Sequence, residues 1–401
     1  MSSSRTYQMR WLTIVVFAVS SAPAFAITGT PSWKPKETVD PFAQGSGSDA
    51  ADRMLAYDHH GNPGISFIDG IDLSLDYARR VPGVGWASVE VDPNGGQYPS
   101  LAFDRYERPA ISYTEATSPA DLRFAHFDGS VWQLETASFE QSSFTSLAFD
   151  ILGRPAIAYA AGASLTLKYV HDTDGDLTFT DETPVTVSAG SFTGVFPSLA
   201  FDSTNRPMIA HGDISANELL FSVEEPGIGW VTSTVVSNPA AGASLPSLAV
   251  DPDTDFPAIA FGGGASGLQY AEWNGVNWGV DPVDPNSGVG SRVSLAFDPA
   301  DGHPAISYEN DINVTKQQNF AWHNGSIWQA QTVDTGGNIY LQSSLAFNDF
   351  GNGFASIAFL DESGQLSFIE DPPAVVPEPA SVLLMLIALV NVSAKRRRPA
   401  V

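Results

Sequence analysis

Short runs that alternate small or polar with apolar residues recur along the chain, and turn residues separate them. Ser100–Tyr113 reads SLAFDRYERPAISY, and Ser146–Tyr159 reads SLAFDILGRPAIAY. Such short alternating runs are typical of half-buried strands. No stretch between residues 30 and 370 keeps the 3.6-residue period of an amphipathic helix. The pattern therefore predicts an all-β body of many short strands.

The repeated phrase divides the body into seven units. Its leucine stands at Leu55, Leu101, Leu147, Leu199, Leu248, Leu295 and Leu345, so the spacing is 46 to 52 residues. These positions define repeats one to seven. Units of this size match one four-stranded blade of a β-propeller.

Repeat two illustrates the predicted blade. Its four strands are expected at Ser100–Asp104, Ala110–Tyr113, Leu122–Phe127 and Val131–Ala137, with Asp104 starting the first turn. A tryptophan opens the fourth strand in most repeats: Trp86, Trp132, Trp230, Trp278 and Trp328. Repeat three departs from this, because Phe179 stands at the expected tryptophan position.

The last repeat has only three strands after Leu345, and its fourth is expected at the start of the chain. SWKPKETVD (Ser32–Asp40) is similar to SIWQAQTVD (Ser326–Asp334). We predict that the Trp33 segment pairs beside the strand containing Gln365–Phe368 and closes a ring, since a linear solenoid would need capping units instead. The expected fold is a seven-bladed β-propeller over residues 27–370, with "SLAFD" strands innermost.

These repeats resemble bacterial extracellular propeller repeats of the form D-x-x-G-x-P-x-I-x-Y … W-x-x-E-x-V-D. The resemblance covers nearly all of residues 32–370. It implies a secreted propeller, and it specifies the fold much better than any activity.

Composition excludes several classes of function. The chain has no cysteine, and therefore no disulfide, no thiolate zinc site and no cysteine nucleophile. Its formal net charge is -26, which repels phosphate backbones. No nucleic-acid partner is expected; cations, neutral sugars or a basic protein surface are better partners.

The first 26 residues have the pattern of a secretory signal peptide. Arg5 and Arg10 precede the apolar run Trp11–Ser20, and Ala24-Phe25-Ala26 has the small-x-small pattern of a cleavage site. The alternative is a membrane helix, for which this run is short.

The C-terminal end has the pattern of a second targeting signal. After a Pro-rich linker (residues 371–379), Pro377-Glu378-Pro379 is followed by the apolar run Ala380–Ala394 and by Lys395, Arg396, Arg397 and Arg398. Residues 376–401 resemble the PEP-CTERM sorting signal of bacterial exported proteins, a segment also labelled "ice-binding protein C-terminal". The resemblance implies an exosortase-type processing partner, a short transmembrane helix before processing, and a membrane-anchored, cell-surface or extracellular location. An ordinary anchor helix would give almost the same location.

Acidic and histidine side chains follow the predicted second strands: Asp69, Glu115, His211, Asp213, Glu309, Asp311, Asp361 and Glu362. They are expected at one mouth of the channel, where carboxylates could hold a cation, bind sugar hydroxyls or form a glycosidase pair. The ligand-binding candidates are Glu115, His211, Asp213, Glu309 and Asp361. The alternative is solvated loops on an acidic protein.

A possible metal site lies in HDTDGDLTFTDE (His171–Glu182). Asp172, Asp174 and Asp176 alternate around a glycine as in half of a calcium loop. Leu177 and Thr183 do not match the EF-hand loop, so an enlarged polar hairpin is the alternative. The repeated turn residues Asp58, Asp104, Asp150, Asp202, Asp251, Asp298 and Asn348 are expected to cap turns.

The sequence favours an envelope-associated binding or scaffold module whose partner is an extracellular polysaccharide or an envelope protein. No catalytic residue is predicted. The alternatives are a carbohydrate-active enzyme (a glycoside hydrolase or lyase) and a purely structural envelope protein; no flat Thr-rich ice-binding face is present. An enzyme should concentrate unlike residues on one or two blades, whereas a lectin should repeat similar pockets on several.

Overall fold

The computed structural model describes residues 30–41, 43–44, 53–237, 244–263, 266–285, 291–312, 315–335, 342–348, 353–361 and 363–371. Regular structure in these residues is almost entirely β-strand. No helix within them is long and apolar enough to cross a membrane. The predicted signal peptide, sorting motif and transmembrane helix lie outside this part of the chain.

Strands β1 to β13 extend from the N-terminal segment through repeat three. They are β1 (Glu37–Asp40), β2 (Ala43–Gln44), β3 (Leu55–Tyr57), β4 (Pro63–Asp69), β5 (Leu75–Val81), β6 (Gly85–Asp92), β7 (Gly96–Phe103), β8 (Pro109–Glu115), β9 (Asp121–Phe127), β10 (Trp132–Phe149), β11 (Pro155–Ala161), β12 (Thr166–His171) and β13 (Val185–Ser188).

The remaining strands belong to repeats four to seven. They are β14 (Val195–Phe201), β15 (Pro207–Asp213), β16 (Glu218–Glu225), β17 (Gly229–Ser237), β18 (Ser244–Val250), β19 (Pro257–Gly262), β20 (Leu268–Trp273), β21 (Trp278–Asp284), β22 (Ser291–Phe297), β23 (Pro304–Ile312), β24 (Thr315–His323), β25 (Trp328–Thr335), β26 (Ser343–Phe347), β27 (Ala355–Leu360) and β28 (Leu366–Glu370).

The strands form antiparallel sheets. Repeats four, five and six each give a four-stranded sheet in chain order, and repeat one gives β3-β4-β5-β6 with β2 also on β4. The sheet of repeat seven has the order β26-β27-β28-β1, with Glu37 opposite Phe368. The predicted all-β class is confirmed, and the pairing predicted for the Trp33 segment is present.

Repeats two and three differ from the prediction because they share one strand. β10 pairs with β9 as far as Gln141 and with β11 from Ser142 onward, which makes one seven-stranded sheet. Residues 138–145 (SFEQSSFT) contain no glycine or proline. Without turn-forming residues the chain stays extended, and β-bulges take up the change of direction.

The repeated aspartates cap turns, as expected. Asp104 Oδ1 accepts the backbone N–H groups of Tyr106 (2.8 Å) and Arg108 (2.9 Å). Equivalent bonds are made by Asp58, Asp150, Asp202, Asp251 and Asp298. In repeat seven Asn348 instead donates its side-chain amide to Gly61 O.

The serine of the repeated phrase links neighbouring repeats. Its hydroxyl oxygen accepts the backbone N–H of the repeated leucine in the next repeat, at 2.9–3.1 Å. The pairs are Leu147–Ser100, Leu199–Ser146, Leu248–Ser198, Leu295–Ser247, Leu345–Ser294 and Leu55–Ser344. Repeat one has Met54 at the serine position, and there Leu101 N donates to Arg53 O (2.8 Å). The links therefore pass through all seven repeats.

Aromatic pairs form a second set of links. The ring that opens each fourth strand packs edge-on against the third-strand ring of the preceding repeat: Trp132–Tyr77, Phe179–Phe124, Trp230–Tyr169, Trp278–Phe221, Trp328–Tyr270, Trp33–Phe320 and Trp86–Phe368, with centroids 5.0–5.6 Å apart. Trp33 thus occupies the position of the other tryptophans. The core consists of apolar clusters between adjacent repeats.

Candidate functional site

The first strands of all seven repeats line one cavity of about 660 Å³. This central cavity is bordered mainly by the Leu-Ala-Phe positions of the repeated phrase, so its walls are largely apolar. Arg53 lies in it, and its Nη2 donates to Leu248 O at 2.9 Å. A guanidinium thus joins the first strands of repeats one and five.

At the start of five first strands, the residue three positions before the repeated leucine has a left-handed backbone. These residues are Tyr98 (φ 55°), Phe144 (54°), Phe196 (52°), Leu245 (52°) and Arg292 (52°). A β-bulge accompanies each of them. Bulky side chains are costly in this conformation, and such residues cluster at functional sites.

Three of these side chains form an aromatic row. The rings of Tyr98 and Phe144 have centroids 4.7 Å apart, and those of Phe144 and Phe196 are 4.4 Å apart. All three are half-buried. At the equivalent position Leu245 and then Arg292 follow, so this rim changes from aromatic to charged as it reaches repeat six.

Repeat six carries a buried ion cluster beside this rim. Glu309 is 1% exposed, and its carboxylate lies 2.8 Å from Arg292 Nη1 and 2.6 Å from Lys316 Nζ. Glu309 lies in a run of buried positions in β23, and Lys316 lies on the adjacent β24. A buried carboxylate needs such partners to offset its desolvation, and the cluster has one excess positive charge.

The cluster stands where the other repeats have a leucine paired with an uncharged residue. Glu309 lies opposite Gln318 in the sheet. The residues at the Glu309 position elsewhere are Ile68, Thr114, Ala160, Gly212, Gly262 and Leu360, and those at the Gln318 position are Leu75, Leu122, Leu167, Leu219, Leu268 and Leu366. Repeat six alone therefore places a carboxylate and an amide here.

Gln318 extends the polar group towards repeat seven. It is fully buried, and its Nε2 donates to Ser343 Oγ at 2.8 Å, whose hydroxyl contacts Ser307 Oγ at 2.7 Å. Its Oε1 has no hydrogen-bond partner among the described residues. A buried amide oxygen without a donor is uncommon and calls for a ligand or water group to satisfy it.

Three of the candidates from sequence do not form an open ring of carboxylates. Asp361 is buried, accepts Ser363 N (2.9 Å) and pairs with Lys36 (3.0 Å). Asp213 accepts Ala216 N (2.8 Å), and Glu115 is half-buried at the end of β8. Two of the three cap their own loops. Glu362 and the side chain of Asp311 lie outside the described residues.

His211 was expected at the channel mouth, and this was wrong. It is fully buried, its Nδ1 contacts Thr193 O, and its Nε2 lies 2.9 Å from Ser222 Oγ. Other repeats have a core aromatic ring at this position: Phe67, Tyr113, Tyr159, Phe261, Tyr308 and Phe359. Burial lowers the pKa of His211 to about 4.

The Asp172, Asp174 and Asp176 carboxylates can come within 4.8 Å of one another. Asp172 is buried and accepts Gly175 N (2.6 Å) and Leu177 N (2.9 Å), whereas the other two are exposed. Burial raises the pKa of Asp172, and the neighbouring carboxylates add to this. Oxygen ligands of this type suit calcium; calcium binding here stays a prediction.

A second group of possible metal ligands joins Asp58 and His60 of repeat one to Glu107 of repeat two. Sequence analysis gave Asp58 only as a turn cap, and the packing of neighbouring repeats brings Glu107 close to it. The residues of the repeat-six cluster were also missed, apart from Glu309; aligning each position across the repeats would have revealed Gln318 among leucines.

No family model and no curated protein matches the chain. Several solved structures match it in fold. An ulvan lyase of a new polysaccharide lyase family, bound to -[GlcA(1-4)Rha3S]-, is 13% identical, with 88% of this chain and 99% of that chain covered and a TM-score of 0.59. Virginiamycin B lyase from Staphylococcus aureus with quinupristin is 10% identical (84% and 99% covered, TM-score 0.56).

A third solved structure is the Aleuria aurantia lectin in complex with α-methyl-L-fucoside, 14% identical over 74% of this chain and 98% of that chain, with a TM-score of 0.50. At these identities the likenesses concern the fold alone. They place the chain among β-propeller-like all-β proteins.

Proposed function

We propose that this protein is an exported, envelope-associated seven-bladed β-propeller that binds an extracellular polysaccharide through one dedicated site in repeat six. The site consists of Arg292, Glu309, Lys316 and Gln318, and the aromatic row occupies the positions equivalent to Arg292 in repeats two to four. The observation that carries the proposal is that this repeat alone has a buried carboxylate and a buried amide, Glu309 and Gln318, at these paired positions.

A closed ring of seven blades is part of this proposal. It is supported by the serine–leucine links, which return from Leu55 to Ser344, and by the pairing of β1 with β28. The shared cavity, to which every first strand contributes, also favours it. Ring closure removes open sheet edges that would otherwise be prone to pair with other chains.

The chemistry of the site suits a sugar. The partly exposed Arg292 and Lys316 supply donors, and the unpartnered Gln318 amide oxygen supplies an acceptor. The half-buried rings at the equivalent rim positions can pack against the C–H faces of a sugar ring. Glu309 holds the two cations in place. Export and envelope location rest on the signal peptide and the sorting tail predicted from sequence, and an exosortase-type enzyme is the processing partner that we propose.

A carbohydrate-active enzyme, a lyase or glycoside hydrolase, is the second candidate. The concentration of unlike residues on a single repeat favours it, because a multivalent lectin would repeat its pocket on several blades. In this alternative, Glu309 and the two cations would act on a bound polysaccharide.

The test compares the full-length chain with Glu309→Gln on an array of bacterial exopolysaccharide fragments. We expect the substitution to weaken binding about tenfold or more, the loss expected when a charge-assisted contact is removed. Glu115→Gln is the matched control, because Glu115 ends the equivalent strand of repeat two. Equal binding by both folded variants would refute the site.

An assay for new reducing ends and for unsaturated products on the bound fragments separates the two candidates. Product that depends on Glu309 would favour the enzyme. Binding without product would favour the binding module.

A further inference from the structure

A second cavity, of about 240 Å³, lies between repeats one and two. Its walls include the rings of Tyr77, Phe103, Phe127 and Trp132, and its rim carries the polar side chains Asp58, Asn62, Arg79 and Glu107. We name it the repeat-one pocket. It is separate from the repeat-six site and involves none of its residues.

At the rim of the pocket, repeat one lacks a long side chain that three other repeats have. The residue four positions after the turn aspartate is Arg108, Arg154 or Arg206 in repeats two to four. Each of these arginines pairs with its turn aspartate and reaches on to the hairpin between the third and fourth strands. In repeat one the residue is Asn62, which bonds to Asp58 at 2.9 Å and extends no further.

Two further differences shape the pocket. In repeats two and three a histidine in the third strand forms a hydrogen bond with the turn aspartate. His126 Nε2 lies 3.1 Å from Asp104 Oδ2, and His171 Nε2 lies 3.2 Å from Asp150 Oδ2. In repeat one this position is Arg79, whose exposed side chain makes no hydrogen bond or ion pair within the described residues.

Gly64 provides the second difference. A Cβ atom at Gly64 would lie 2.6 Å from the Tyr77 hydroxyl and 3.0 Å from the Phe103 ring. The equivalent residue is alanine in repeats two, three, five and six: Ala110, Ala156, Ala258 and Ala305. The missing methyl group leaves the space that the hydroxyl of Tyr77 occupies.

We propose that the repeat-one pocket binds a single neutral pyranose ring. Aromatic faces on one side and a mixed set of donors (Arg79, Asn62) and acceptors (Asp58, Glu107) on the other match a ring with C–H faces and vicinal hydroxyls. The volume lies below the roughly 300–1,000 Å³ of sites for drug-sized ligands, so one ring is the appropriate size. A neutral sugar is favoured over an anionic one because two carboxylates face one cation here and the whole chain carries -26.

The probes are methyl α-D-mannopyranoside, methyl α-D-glucopyranoside and methyl β-D-galactopyranoside, with methyl β-D-glucuronide as the anionic comparison. Saturation-transfer NMR with the full-length chain measures their binding. We expect at least one neutral glycoside to bind more tightly than the glucuronide. Binding of none of them, or preference for the glucuronide, would overturn the proposal.

Asn62→Arg tests the location. It restores the arginine that repeats two to four already accommodate, so the fold should be retained, and its guanidinium should pair with Asp58 and fill the pocket rim. We expect binding to weaken at least about tenfold. Unchanged binding in the folded variant would place the sugar elsewhere.

Trp132→Phe and Trp278→Phe form a matched pair. Both tryptophans pack in the same way on a third-strand ring, Tyr77 or Phe221, but only Trp132 lines the pocket. Weaker binding in the first variant alone supports the site, and an equal loss in both contradicts it. Glu309→Gln should leave this binding unchanged, which separates it from the function proposed for repeat six.

Discussion

His211 should make the protein less stable in mild acid. Its imidazole is fully buried between Thr193 and Ser222. Burial holds the pKa at about 4, against 6.5 for an ordinary histidine. His211→Phe replaces the imidazole by a ring of the type that Phe261 and Phe359 provide at the same position of repeats five and seven.

The sign and the size of the change in unfolding free energy follow from the pKa values of His211 in the folded and unfolded chain. Above pH 6.5 the imidazole is neutral in both the folded and the unfolded chain, and it adds no pH dependence. Between pH 6.5 and 4 only the unfolded chain takes up the proton, so the free energy of unfolding falls as the pH falls. The full difference between these values corresponds to ~3 kcal/mol, at about 1.4 kcal/mol for each pKa unit.

The assay is urea denaturation of the wild type and of His211→Phe at several pH values from 7 to 4. We expect the difference in unfolding free energy between the two to shift by ~3 kcal/mol in favour of the variant as the pH falls. Asp76 and Glu135, whose pKa values burial raises to about 6 and about 7, contribute the opposite slope, but equally in both proteins.

The exposed His59 supplies the control, as His59→Gln should follow the wild type at every pH. Parallel pH profiles for the wild type and His211→Phe would refute the assignment of the acid sensitivity to His211.

Two further variants test the links between repeats. Ser198→Ala should lower the free energy of unfolding by about 1–3 kcal/mol, because the buried Leu248 N–H loses its acceptor; an unchanged urea midpoint would contradict the link. Trp33→Ala should cost about 3 kcal/mol, at the lower end for a large core side chain because Trp33 is only half-buried against Phe320. Thermal unfolding measures this loss, and an effect no larger than that of an exposed substitution would show that the N-terminal segment contributes little.

The repeated phrase alone determined most of the fold. A strand, a capped turn and a second strand depend on local properties, namely alternation and the ability of Asp104 and its equivalents to accept nearby N–H groups. The match between the Trp33 and Trp328 segments also placed a strand from one end of the chain beside the other end. The continuous strand β10 was missed, since the prediction assumed a turn where no turn-forming residue stands.

The candidate site could be predicted from the sequence only in part. The sequence identified Glu309 as one of several acidic candidates. Its role in the site depends on its ion pairs with Arg292 and Lys316, which lie on different strands. His211 lies within the core because β15 is buried along nearly its whole length, between β14 and β16 and against neighbouring repeats. The repeat-one pocket needs residues of two repeats. A repeat can be read from local periodicity, whereas burial, ion pairs and cavities arise between sheets, where only the packed chain decides which side chains meet.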